Sequence, residues 1–150
     1  MIETAAILYS EMRPTLNSNL WDFSFGSHEG DLVSDYRSKP IWKKWMNQDP
    51  DIAFDSVNGE TLLEASFRVR AGMTRIVKIC IGEDLQNIAV IAHGEIICQL
   101  MRYTLISDES FQNFLMYPNG MRFQVTVDPE KWFEDQKMQF VDYFLEGAQG

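Results

Sequence analysis

Two histidines, His28 and His93, are the side chains of this 150-residue chain suited to proton exchange near neutral pH. His93 is the more informative. It closes the run Asn87-Ile-Ala-Val-Ile-Ala, is followed at once by Gly94, and leads into the helical pattern Glu95-Ile-Ile-Cys-Gln-Leu-Met101. A short apolar run bounded in this way reads as a fully buried, parallel strand. Ligands of open α/β sheets gather at the carboxyl ends of such strands, where His93 falls. Gly94 lets the backbone turn sharply or come close to a ligand. The helix beyond it would aim its unpaired N–H groups at the same point, which suits an anion. His93 is therefore a candidate catalytic residue, with Gly94 and Glu95 as binding neighbours. Glu95 stabilises the start of its helix while weakening anion binding there.

These residues need elements to position them. Ala5, Ala6, Ile7, Leu8 and Met12 predict a short helix over residues 3–12 that stops before Pro14. Residues 15–38, rich in Asn, Ser, Gly and Asp with interspersed aromatics, read as a long ordered loop of the kind that carries function. Residues 41–47 predict a short helix closed by Asp49-Pro50, and Asn58-Gly59 a turn. From Thr61 to Ile81 apolar residues recur at helical spacing, and Gly82 is placed to end that helix. A helix from His93 to about Leu105 follows, then a short helix or turn over 111–116. Asn119-Gly120 is a hairpin-type turn, and Met121 to Val127 alternates as a strand. Residues 130–146 read as an acidic, aromatic-rich terminal helix. The order predicts one α/β domain over residues 1–150, a three-layer α/β/α arrangement around a mostly parallel sheet.

Composition narrows the function classes. Twenty-two acidic residues against 13 basic ones give a net charge of −9, which argues against general nucleic-acid binding and against an anionic membrane surface. A phosphate ester stays open, because an anion site needs only a local cluster of donors. Cys80 and Cys98, without CxxC spacing, read as buried thiols of a reducing cytosol. No apolar run reaches membrane-span length, and no signal-peptide pattern opens the chain. The expected location is the cytoplasm, and no metal-ligand spacing is present.

Four further segments arrange themselves around His93: Thr4-Ala5-Ala6; Leu20-Trp-Asp22-Phe-Ser-Phe25-Gly26-Ser-His28-Glu29-Gly30; Asn58-Gly59-Glu60-Thr61-Leu62 with Arg68 beyond it; and Tyr117-Pro118-Asn119-Gly120. Each is weak alone. As an ordered set over essentially the whole chain, they resemble the histidine phosphatase superfamily, the phosphoglycerate-mutase-like and alpha-ribazole-phosphatase-like proteins.

The resemblance implies hydrolysis of a phosphomonoester through a phosphohistidine, with no cofactor and a small phosphorylated metabolite as substrate. His93 matches the second active-site histidine, which steadies the phosphoryl group. Asp22 stands where the family has a glutamate that protonates the leaving group, one methylene shorter. Glu29-Gly30 is expected to shape its loop, Glu60 to cap or pin its helix, and His28 to be a loop histidine outside the chemistry. The family's nucleophile belongs to an Arg-His-Gly triplet on the first strand, and no such triplet occurs here. The resemblance therefore implies a chain truncated at its amino terminus relative to the family, missing the first strand and inactive in isolation. Three arrangements would account for this: a fragment of a longer enzyme, a degenerate paralogue that dimerises over the gap in its sheet, or a separate polypeptide supplying the strand. The competing function is a catalytically dead domain that binds itself or a partner.

Overall fold

A computed structural model of the chain describes residues 1–47, 49–52, 58–105 and 122–144. Its elements run α1 (Ile2–Leu8), α2 (Pro40–Met46), α3 (Leu62–Gly82), α4 (Gly94–Thr104), β1 (Arg122–Thr126), α5 (Pro129–Asp135) and β2 (Gln139–Phe144). Between α1 and α2 the long loop is organised by three single turns of 3-10 helix, Ser18–Leu20, Gly26–His28 and Val33–Asp35. The turn and helix expected over 106–121, including Tyr117 to Gly120, lie outside the described residues.

Helix α3 is the spine. Thr61 opens it with a reciprocal capping box: its hydroxyl accepts the Glu64 N–H at 3.1 Å, and the Glu64 carboxylate accepts the Thr61 N–H at 2.8 Å. The helix buries Leu62, Ala65, Ser66, Val69, Gly72, Met73 and Val77. Leu63 and Phe67, part of the apolar periodicity, face solvent instead. At its amino-terminal end Leu62 and Ala65 join Phe23, Tyr36, Trp45 and Ile52 in one cluster. Further along, Met73 and Val77 meet Trp132 of α5, with Leu100 of α4 packed against them. Trp132 is fully buried and donates its indole N–H to the Thr74 hydroxyl at 3.0 Å. A residue of this size and burial is worth roughly 3–5 kcal/mol. A third cluster ties Met101 and Leu105 to Met138, beneath β1.

Strands β1 and β2 pair antiparallel, with a register shift between Gln124 and Val125. A single parallel bridge joins Leu105 to Met138. A three-layer parallel arrangement is not found among the described residues, and the sheet there is two-stranded.

Two expectations are corrected. The terminal helix over 130–146 is instead the short α5 followed by β2. Asp128 caps α5 ahead of Pro129, and Gln136 leaves it in the left-handed conformation (φ 55°), which stops the helix. Phe140 and Val141 then take the extended conformation that aromatic and β-branched residues favour. The run 87–92, expected as a buried parallel strand, is non-helical, with Ile88 44% and Val90 38% accessible and Ile91 and Ala92 partly buried. No strand lies beside it among the described residues.

The cap and its pH dependence are directly measurable. Thr61→Ala is expected to destabilise the fold by about 1 kcal/mol in urea unfolding. Bonding to Thr61 lowers the Glu64 pKa below its ordinary value. Its stabilising contribution is therefore complete above pH 4.5 and fades as pH falls through the folded value. In Thr61→Ala that acid-limb loss should shrink. An unchanged acid limb would show that the box contributes nothing.

Candidate functional site

Arg68, one face of α3 away from the core, organises the loop that carries Asp22. Its guanidinium forks onto Glu60, with Nε–Oε1 at 2.6 Å and Nη2–Oε2 at 2.7 Å. The remaining donors reach the backbone carbonyls of Asn19 at 2.9 Å, Trp21 at 3.0 Å and, more weakly, Asp22 at 3.4 Å. A planar five-donor group is the only side chain able to serve a bidentate carboxylate and several carbonyls together. Glu60 thus pins the loop through Arg68, while the helix is capped by Thr61 together with Glu64. Gly72 adds a second anchor. A Cβ there would sit 2.9 Å from the Asn19 Cβ and 3.0 Å from the Leu20 Cδ2, and its carbonyl accepts from Asn17 Nδ2 at 3.0 Å.

Held in this way, Asp22 meets His93. Its Oδ2 lies 3.2 Å from His93 Nδ1, and its Oδ1 accepts the Phe23 N–H at 2.9 Å. Both side chains are about half exposed. His93 occupies the N-cap position of α4 with no capping bond from its own side chain. Gly94 is the first residue of that helix, and Glu95 accepts from Gln99 Nε2 at 2.8 Å. All four residues singled out from the sequence, Asp22, His93, Gly94 and Glu95, line one open cavity of about 480 Å³.

The same cavity is lined by a group the sequence reading left out. His28 Nδ1 lies 2.7 Å from the Tyr36 hydroxyl and 2.9 Å from Asp31 Oδ2, and the Tyr36 hydroxyl also donates to that oxygen. The hydrogen bond from Tyr36, then that from His28, lowers the Asp31 pKa below the usual carboxylate range. The Asp31 bond and burial push Tyr36 up to about 12. Asp31 therefore stays anionic and Tyr36 neutral across the physiological range. His28 is a loop histidine, as expected, yet it faces the cavity. The available signal was His28 and Asp31 three apart in an aromatic-rich loop, with Tyr36 following. Glu29 shapes that loop by accepting the Phe25 N–H at 2.7 Å, and Gly30 takes φ +87°, a conformation costly for other residues.

Behind these polar groups stand aromatic rings. Trp45 packs edge-on against Phe23, with centroids 4.7 Å apart, and lies 5.8 Å from Phe25. Among the described residues no group of three or more His, Cys, Asp or Glu side chains is gathered to hold a metal ion. None of their helices is long and apolar enough to cross a membrane. Cys80 and Cys98 are both half-buried free thiols. Burial, aided by the nearby Glu95 charge, pushes the Cys98 thiol up to about 12.

A family model described as the histidine phosphatase superfamily (branch 1) matches residues 1–137. The chain belongs to that superfamily. Neither a curated protein nor a solved structure matches it. The lining is acidic: Asp22, Glu29, Asp31 and Glu95 are present, and among the described residues no lysine or arginine joins them.

The Arg68 clamp generates a prediction. Arg68→Met would leave Glu60 and the carbonyls of Asn19 and Trp21 without their donor, at a cost of about 2–4 kcal/mol. Freed from its anchor, Asp22 should also lose His93. In imidazole NMR the His93 signals should move while those of His28, fixed by its own cluster, stay. Unchanged His93 signals in a folded Arg68→Met protein would refute the clamp's role.

Proposed function

We propose that this chain carries part of a phosphomonoester-hydrolysing centre in which His93 faces the phosphoryl group, Asp22 orients His93, and no residue of these 150 acts as a competent nucleophile. The observation that carries the reading is the His93–Asp22 contact of 3.2 Å at the amino-terminal end of α4. A carboxylate on Nδ1 fixes the ring, leaving Nε2 for a ligand. The first N–H groups of an eleven-residue helix add donors at the same place. Asp22 spends one oxygen on His93 and the other on the Phe23 N–H, which suits an orienting role better than proton delivery to a leaving group.

Turnover asks for more. A transferring phosphoryl group needs several fixed positive donors around its three equatorial oxygens, and an imidazole placed for in-line attack. Among the described residues the cavity lining contains no guanidinium or ammonium group. His28 is tied to Tyr36 and Asp31, and the sequence has no third histidine. Substrate recognition without turnover is the expected behaviour of the isolated chain. Two free thiols fit a reducing compartment, the cytoplasm.

Incubating the pure chain with a radiolabelled phosphomonoester and quenching in alkali should yield no phosphohistidine. Inorganic phosphate should nevertheless shift the His93 imidazole resonances, and His93→Gln should abolish phosphate binding. Label on either histidine would overturn the inactivity. Undisturbed His93 signals at saturating phosphate would overturn the phosphoryl role.

A second reading, a silent domain that self-associates, draws on a separate observation. Besides Ile88 and Val90, helix α1 exposes Ile2 (60%), Ile7 (81%) and Leu8 (54%), much apolar surface for one small chain. On this reading, sedimentation at rising protein concentration shows a monomer–dimer equilibrium that Val90→Lys abolishes. A strict monomer at 100-fold above assay concentration would dismiss it.

A further inference from the structure

The charge of the cavity conflicts with the ligand just proposed, and the conflict narrows the substrate. Among the described residues four carboxylates line it against two histidines, with the Lys39 charge acting on Asp31 from beside Tyr36. With both histidines protonated the lining still carries two negative charges, and the α4 amino terminus returns only about half a charge. Each carboxylate does have a partner. Asp22 holds His93 and the Phe23 N–H, Glu29 the Phe25 N–H, Asp31 His28 and Tyr36, and Glu95 Gln99. Most of those partners are neutral, and a neutral donor satisfies a lone pair without cancelling the charge. Asp31 in particular is held anionic by its two bonds. A bare phosphate dianion is poorly matched to this field.

The walls point to what would match it. Trp42, Trp45, Phe23, Phe25 and Tyr36 line the cavity beside the carboxylates. The negative faces of aromatic rings attract ammonium groups, and alkylated ammonium, being weakly hydrated, most of all. The fold already uses this attraction locally, since Lys39 Nζ lies 4.3 Å from the centre of the Tyr36 ring.

We infer that the cavity selects a phosphomonoester whose alcohol carries a positively charged, alkylated ammonium group, the phosphoryl end meeting His93 and the cationic end the aromatic and carboxylate lining. This rests on the phosphoryl role of His93. The ammonium cancels one of the two phosphate charges, so the ester enters the negative cavity with half the excess charge of a phosphate on a neutral alcohol.

The test compares ligands that share one phosphate. Phosphocholine, glycerol phosphate, inorganic phosphate and tetramethylammonium are titrated into the chain, following tryptophan fluorescence and the His93 imidazole signals. Phosphocholine is expected to bind at least tenfold more tightly than glycerol phosphate, with weak but measurable tetramethylammonium binding. Asp31→Asn, which keeps the side chain's shape, should reduce that preference to under threefold, weakening phosphocholine and, by removing one negative charge, tightening glycerol phosphate. Equal affinities for the two esters, with His93 responding to both, would overturn the cation preference and leave the phosphoryl role standing. Binding of phosphocholine no tighter than tetramethylammonium, with His93 silent, would overturn the phosphoryl role and with it the inference. Asp31→Asn retaining the full preference in a folded protein would also overturn it.

Discussion

One bidentate pair, Arg68 on Glu60, sets the geometry on which the site depends. The pair is partly withdrawn from water, with side-chain exposures of 23% and 14%. A lone pair of charges at that depth would contribute little after desolvation. Its value lies in what the fork leaves over: two guanidinium nitrogens still able to hold the carbonyls of Asn19, Trp21 and Asp22. A loop rich in Asn, Ser and Gly has no reason of its own to adopt one shape. Nailed to α3 by Arg68 and laid against it at Gly72, it presents Asp22 from a fixed direction. Lysine could neutralise Glu60 but could not reach three carbonyls as well.

His93 arrives by an independent route. Helix α4 packs on α3 through Leu100, Met73 and Val77, with Trp132 closing the cluster from α5. Ile96 and Gln99, both almost fully buried, fix the rotation of α4 and so the direction of its amino terminus. The contact between Asp22 and His93 is therefore the meeting of two rigid attachments to one helix. This also explains why Gly94 and Glu95 line the cavity. They are the next two steps of α4 after the N-cap, and any rotation that brings His93 to Asp22 brings them too.

Much of this was legible in the residues. The apolar periodicity of Thr61–Ile81 and the stop at Gly82 placed α3 to within a residue, and the His93-Gly94 junction opened α4 where expected. What was not legible depended on distant partners. Glu60 was expected to cap or pin its helix, and only the geometry assigns capping to Thr61 with Glu64 and loop anchoring to Glu60. His28 looked idle because the spacing to Asp31 and Tyr36, three and eight residues on, allows their contact with its ring without requiring it. The aromatic terminal segment could form either helix or strand. Its outcome turned on Gln136 adopting a left-handed turn and on Met138 bridging Leu105, a contact between positions 33 apart.

The run 87–92 marks the same limit most sharply. Alternation and apolarity describe what a segment can do once it has neighbours, whereas burial is conferred by those neighbours. Here the described residues provide no neighbouring strand, and Ile88 and Val90 lie open. His93 nevertheless stands against Asp22. In an open α/β sheet a residue at a strand's carboxyl end owes its place to the sheet. In this chain the described contacts that place His93 come from α4 on α3 and from the Arg68 clamp, so the pairing of His93 with Asp22 is set by helix packing. Pairing along 87–92 would add rigidity behind His93 without being needed to define where it points.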